Sequence, residues 1–156
     1  MIRLVAMDVD GTLTDGGIYM DDAGGEFKRF HVRDGYGIEA LMKSGVRVAF
    51  ISGRASGATD RRARDLGVTL VVNGTGDKLT DLETMARELG VARSEVAFIG
   101  DDLRDVPCIE WSGLGVAVAD AHDDVLSAAD VITSARGGEG AVREVADRVL
   151  RANSAR

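Results

Sequence analysis

Short apolar runs alternate with amphipathic stretches from one end of this chain to the other, and that alternation permits few folds. A strand buried on both faces reads as a continuous apolar run, and a crossover helix returns the chain to begin the next strand beside it. The pattern predicts strands over 3–7, 47–51, 69–72, 96–99, 114–118 and a short one over 131–133. Helices are predicted over 34–44, 58–66, 78–89, 105–110, 124–128 and 141–152. The expected fold is therefore α/β, a doubly wound parallel sheet with helices on both faces. Asp34 is placed to cap the first helix, and Gly45, Gly67 and Gly90 stand where a helix must stop before the next strand. Pro107 falls early in its helix, where a missing donor costs little.

At 156 residues the chain suits one domain, expected over 1–153 with a frayed tail at 154–156. A domain of that length buries roughly 70% of its unfolded surface. A formal charge of −7 leaves no basic stripe to neutralise phosphates, so no nucleic-acid partner is expected. Arg61, Arg62 and Arg64 are flanked by Asp60 and Asp65 and read as a solvated helix face. The single cysteine, Cys108, excludes an internal disulfide, fits a reducing cytoplasm and reads as a core thiol. No apolar run reaches the length of a membrane span. The first run is too short for a leader and meets Asp8 at once.

One segment breaks the alternation. Gly17-Ile18-Tyr19-Met20, the loop Asp21–Gly25 and Glu26-Phe27-Lys28-Arg29-Phe30-His31-Val32 read as a β-hairpin of about residues 17–32. It leaves the sheet directly after an acidic turn and should stand over that turn as a flap. An isolated two-stranded ribbon is marginal alone, so a partner subunit is the expected support.

The chemistry gathers at strand ends, where ligands of parallel α/β sheets bind. Asp8-Val9-Asp10-Gly11-Thr12 follows the first strand, and alternation points Asp8 and Asp10 the same way. Unpaired carboxylates are costly there, and a divalent cation or a retained proton relieves them. Ser52-Gly53-Arg54 follows the second strand, a glycine-rich loop delivers Lys78 after the third, and Gly100-Asp101-Asp102-Leu103-Arg104-Asp105 follows the fourth. Such a set fits phosphoryl transfer. Asp8 and Asp101 offer hard oxygens to Mg²⁺, with the Asp10 carbonyl as a third ligand. Asp8 is positioned to attack phosphorus and form an aspartyl-phosphate. Asp10, kept protonated by acidic neighbours, would serve the leaving group and then the attacking water. Thr12, Ser52, Gly53 and Lys78 would hold the remaining phosphate oxygens.

The order DVDGT, Ser52, Lys78, GDDLRD resembles the four motifs of the haloacid dehalogenase superfamily of phosphohydrolases. The resemblance implies a Rossmann-like core, with Asp8 as nucleophile, Asp10 as acid/base, Ser52 and Lys78 as phosphate binders and Asp101 as metal ligand. Asp102 and Asp105 would support the metal and its waters. Larger members insert a cap domain, whereas here only the hairpin fills the first gap, so no cap domain is expected. The stretches Val32–Ile38, Ala117–His122 and Gly137–Glu144 resemble the 3-deoxy-D-manno-octulosonate 8-phosphate phosphatase subfamily. That likeness implies an acidic sugar phosphate as substrate and a homotetramer whose hairpins complete neighbouring sites. Arg54 and Arg33 are the cations expected to grip the sugar carboxylate.

Three alternatives stay open at this point. A nonulosonate 9-phosphate is kept in view by Glu139, which stands where an octulosonate enzyme is expected to carry a basic residue. A phosphoaccepting receiver domain shares the acidic cluster, hydroxyl, lysine and Mg²⁺, but places its accepting Asp on a later strand. A non-catalytic domain regulating a sugar-nucleotide synthetase would have no need of the intact acidic set.

Overall fold

The computed structural model describes residues 1–155. Six strands form one parallel sheet: β1 (Leu4–Met7), β4 (Arg47–Ser52), β5 (Leu70–Asn73), β6 (Val96–Gly100), β7 (Leu114–Ala117) and β8 (Val131–Ile132). The remaining two, β2 (Tyr19–Met20) and β3 (Glu26–Phe27), pair antiparallel as a separate ribbon. Helices α1 (Val32–Lys43), α2 (Gly57–Leu66), α3 (Lys78–Glu88), α4 (Val106–Trp111), α5 (Asp123–Ala128) and α6 (Ala141–Ser154) fill the connections. Every strand expected in the sheet is present to within a residue or two, because continuous apolar runs such as Leu4–Met7 are stable only where both faces are covered.

The sheet runs in the order β5-β4-β1-β6-β7-β8. From the central β1 the chain steps outward on one side, then returns to β6 and builds the other half. Helices α1, α2 and α6 pack on one another in one layer, and α3, α4 and α5 form the second. Both layers close on a core that includes Phe50, Phe98, Ile38, Leu82 and Val145. Strand order reverses between β1 and β6, which opens a crevice beyond their carboxyl ends. Asp8 and Asp101 follow those two strands directly, and the Asp8 amide donates to the Ile99 carbonyl at 3.0 Å.

Three local expectations are corrected. The first helix begins at Val32 with His31 as its cap, its Nδ1 accepting from the Arg33 amide. Asp34 instead turns across to α6 and accepts from the Arg143 amide at 2.9 Å, capping a helix more than a hundred residues away. The hairpin is shorter than expected: its two strands have two residues each, and an isolated bridge between Thr14 and Phe30 closes its base. At the other end α6 runs through Ser154, so only Ala155 of the expected tail is described outside the helix, and Arg156 lies outside the described residues. Among the described residues no helix is long and apolar enough to cross a membrane. Cys108 is buried in the core, and burial first, then Asp105, pushes its thiol up to about 12.

Candidate active site

A cleft of about 350 Å³ opens beyond the carboxyl ends of β1, β4 and β6. Its walls include Asp8, Asp10, Gly53, Arg54, Lys78, Asp101, Asp102, Arg104 and Asp105. Four segments far apart in sequence therefore deliver their polar residues to one place, as parallel strands in register require.

Lys78 is the hub of the floor. Its Nζ donates to Asp8 Oδ1 at 2.6 Å and to Asp105 Oδ1 at 2.7 Å, and all three side chains are buried. Burial alone would depress the lysine, but the two carboxylates outweigh it and hold the ammonium well above its ordinary range. The other oxygen of Asp105 accepts from the Asp101 and Asp102 amides at 3.0 and 3.2 Å, which folds the turn after β6 back on itself. Lys78 reaches this point because Asp77 caps α3 and starts the helix beside the cleft.

Asp8, Asp101 and Asp105 bring one carboxylate oxygen each within 4.8 Å of one another. Burial raises Asp8 to about 6, with Asp105 adding to the effect and Lys78 opposing it. Burial also raises Asp101, to about 9, with the neighbouring Asp8 carboxyl adding to the effect. Three carboxylates held that close with one ammonium between them form a hard-oxygen donor set short of positive charge, which suits a divalent cation. Asp101 reaches the cluster only because residue 11 is glycine. A Cβ there would stand 1.9 Å from Asp101 Oδ2, and the φ of +89° is one that other residues avoid. The Gly137–Gly138 loop backs the same turn, the Gly138 amide donating to the Thr12 carbonyl at 3.0 Å.

The remaining expected residues are placed as follows. Asp10 lines the cleft, but its charged partner is the ammonium of Lys28 rather than an acid. Thr12 is buried and turned to Asp101, its Oγ1 donating at 3.4 Å. The Ser52 hydroxyl is buried beneath the wall and bonds the carbonyl of Arg54 at 2.9 Å, while Gly53 and Arg54 themselves line the cleft. The Asp102 carboxylate caps the Leu103 amide at 2.8 Å and lies apart from the three-carboxylate cluster, in which Asp105 stands instead. Arg33 is an exposed residue in the first turn of α1 rather than part of the cleft wall.

Sequence reasoning missed the flap's contribution. Lys28 is buried under the ribbon between the carboxylates of Asp10 and Glu26. Glu26 in turn takes both guanidinium nitrogens of Arg54, at 2.8 and 2.7 Å. The only available signal was the alternation of charge in Glu26-Phe27-Lys28, which says nothing about what lies opposite. Arg29 pairs with Glu139 at 3.0 Å, so that glutamate has a partner within this chain.

Residues 69–145 match the family of haloacid dehalogenase-like hydrolases. The chain is 47% identical over 149 residues to the 3-deoxy-D-manno-octulosonate 8-phosphate phosphatase KdsC of Escherichia coli K12, covering 96% of this chain and 79% of that protein. The chain belongs to this phosphatase family. Among solved members of the octulosonate phosphatase family, the Moraxella catarrhalis protein in complex with magnesium, phosphate and KDO superposes with a TM-score of 0.95. It is 44% identical, and the match covers 97% of this chain and 87% of that one. The cobalt-bound Haemophilus influenzae phosphatase superposes at 0.94 with 43% identity, over 98% of this chain and 90% of that one.

Proposed function

We propose that this chain is a Mg²⁺-dependent phosphomonoesterase that releases phosphate from 3-deoxy-D-manno-octulosonate 8-phosphate through an aspartyl-phosphate on Asp8. The observation that carries this reading is the convergence of Asp8, Lys78 and Asp101 on one cleft floor in a relative of a protein solved with magnesium, phosphate and KDO. Mg²⁺ bound by the Asp8 and Asp101 carboxylates and the Asp10 carbonyl would supply positive charge beside the phosphate and lessen its repulsion of the attacking carboxylate.

The chain's own residues do the rest. Asp8 Oδ attacks phosphorus, and Lys78 keeps the attacking carboxylate aimed while matching the charge that spreads over the phosphate oxygens. The Asp10 carboxyl gives a proton to the leaving C8 oxygen and later takes one from the water that cleaves the aspartyl-phosphate. Asp105 acts through others, since it holds Lys78 and the amides of the turn that carries Asp101. Gly53 and the backbone around Ser52 form the phosphate's side wall.

Shelter from water comes from neighbouring subunits in a homotetramer. Supporting this, the flap leaves Ile18, Met20 and Phe27 exposed beside an open cleft, and Val32 and Tyr36 continue the apolar surface. A cytoplasmic setting accords with the single buried thiol. Glu139 gives no support to a nonulosonate substrate, because its partner is Arg29.

Phosphate release measured on octulosonate 8-phosphate, a nonulosonate 9-phosphate and a neutral sugar phosphate, with Mg²⁺ and with chelator, tests the reading. Octulosonate 8-phosphate should lead and chelator should stop turnover. A higher kcat/KM on the nonulosonate, or turnover without divalent metal, overturns it.

A further inference from the structure

Most of the cleft's carboxylates are held from the body of the domain. Asp8 is bonded by Lys78, Asp105 by Lys78 and two amides, and Asp102 by the amide of Leu103. Asp10 is held from elsewhere. The turn beneath it is fixed, since the amides of Thr12, Leu13 and Thr14 all donate to the Val9 carbonyl, at 3.2, 2.9 and 3.1 Å. Its side chain, however, is 31% exposed and lines the cleft. Among the described residues, the one hydrogen bond that reaches its carboxylate comes from Lys28 of the flap.

Lys28 is itself pinned. Its side chain is 2% exposed, Glu26 Oε1 stands 3.6 Å from the ammonium, and the residue is not part of the cleft wall. A buried ammonium is costly unless its partners are well placed. A ribbon of two residues per strand gives that burial little support of its own. Tying the flap down does not call for it, because Glu26 and Arg54 already make that tie in partial contact with water. What Lys28 alone does is fix the Asp10 carboxylate.

Proton transfer needs its two heavy atoms about 2.6–3.2 Å apart, and a misplacement of about 1 Å can cost on the order of 100-fold. An aspartate on a fixed backbone still turns about two side-chain bonds. A contact to one of its oxygens removes that freedom and leaves the other for the reacting group. We propose that Lys28 is a positioning residue, which holds the Asp10 carboxyl in line for its proton transfers while the flap is down. The proton passes from Asp10 to the leaving C8 oxygen and is replaced from the water that cleaves the aspartyl-phosphate; Lys28 itself transfers none. All of its contacts lie within one chain, so the arrangement holds whichever neighbour covers the cleft. The proposal rests on the phosphatase reading given above.

The test is a double-variant cycle on octulosonate 8-phosphate at saturating Mg²⁺, with wild type, K28M, D10N and K28M/D10N. Circular dichroism and sedimentation check that each variant is folded and assembled like wild type. K28M should lower kcat about 10- to 100-fold with KM little changed, the signature of a group that acts only in the transition state. In the D10N background the same change should cost nothing further, because no acid/base carboxyl is left to place. K28Q, which keeps a donor but loses the charge, should fall between wild type and K28M. It carries the same cycle if K28M does not fold or assemble. A lysine penalty of equal size with and without D10N overturns the assignment, since Lys28 then acts through the fold at large. So does a raised KM with kcat intact, which would make Lys28 a substrate contact. Wild type without Mg²⁺-dependent release of phosphate removes the phosphatase reading, and this assignment with it. Wild-type turnover beside an unaltered K28M removes Lys28 alone.

Discussion

The floor of the cleft and the flap above it both rest on ion pairs, yet they are built in opposite ways. On the floor, Lys78, Asp8 and Asp105 are buried and project from elements anchored in the hydrophobic core. At the flap, Glu26 and its partner Arg54 on the cleft wall are partly solvated, and the ribbon they tie down has two residues per strand. The floor combines burial in the core with two close ion pairs. Charge, one stacked pair of rings (Tyr19 on Phe27 with centroids 5.1 Å apart) and the Thr14–Phe30 bridge at its base hold the flap. Buried ion pairs of this protein therefore lie where the proposed chemistry occurs, and partly solvated ones lie where a substrate must enter.

The contrast can be broken most sharply at Asp8. D8N should reduce turnover on the order of 10⁴-fold or more while circular dichroism shows a folded protein. Residual activity near wild type would move the nucleophile elsewhere. Next comes K78M, which leaves two buried carboxylates without their cation and should cost about 3–5 kcal/mol in denaturant unfolding, as well as activity. A loss under about 1 kcal/mol would mean the floor is wetter than its burial indicates. For the flap, F27D should leave the monomer folded but shift sedimentation from the proposed tetramer to smaller species, and a wild-type monomer would refute the shared-site arrangement.

A smaller effect follows from the raised carboxyls. Between about pH 4 and 9 the metal-free folded protein holds protons on Asp101, and toward the acid end on Asp8, that the unfolded chain has released. Stability without metal should therefore fall as pH rises through that window. Mg²⁺ favours the ionised carboxylates, so its stabilising shift in melting temperature should grow from about pH 5.5 to about pH 8.5. A shift independent of pH would place the metal away from Asp8 and Asp101. The smallest change belongs to E26Q: the melting temperature should stay put while amide exchange over the ribbon accelerates, and unaltered exchange would show that the Arg54 pair is not what holds it.

What could be read from the sequence divides along the same line. Leu4–Met7, Val96–Gly100 and the helix-ending glycines announce themselves because apolar continuity and backbone freedom are local properties. Asp8, Asp10, Lys78 and Asp101 could be expected together because each follows a strand, and strands of a parallel sheet end at one edge. Asp34 could not be read, since local capping and capping of α6 look identical until the two helices pack. Asp105 was harder to see than Asp102 for a similar reason: one turns inward to Lys78 and the other outward to an amide. Lys28 and Glu26 depended on the orientation of a ribbon whose sequence fixes its pairing but not its tilt.

By itself, then, the sequence determined the strand order's raw material, the acidic exits of β1 and β6 and the lysine that meets them. Those follow from periodicity and from the shared polarity of parallel strands. Only the tertiary structure decided what each nearby cation faces. Arg33, Arg54 and Lys28 are alike in the sequence as single positive charges. They differ because α1 turns one outward, Glu26 occupies the second, and the flap buries the third against Asp10.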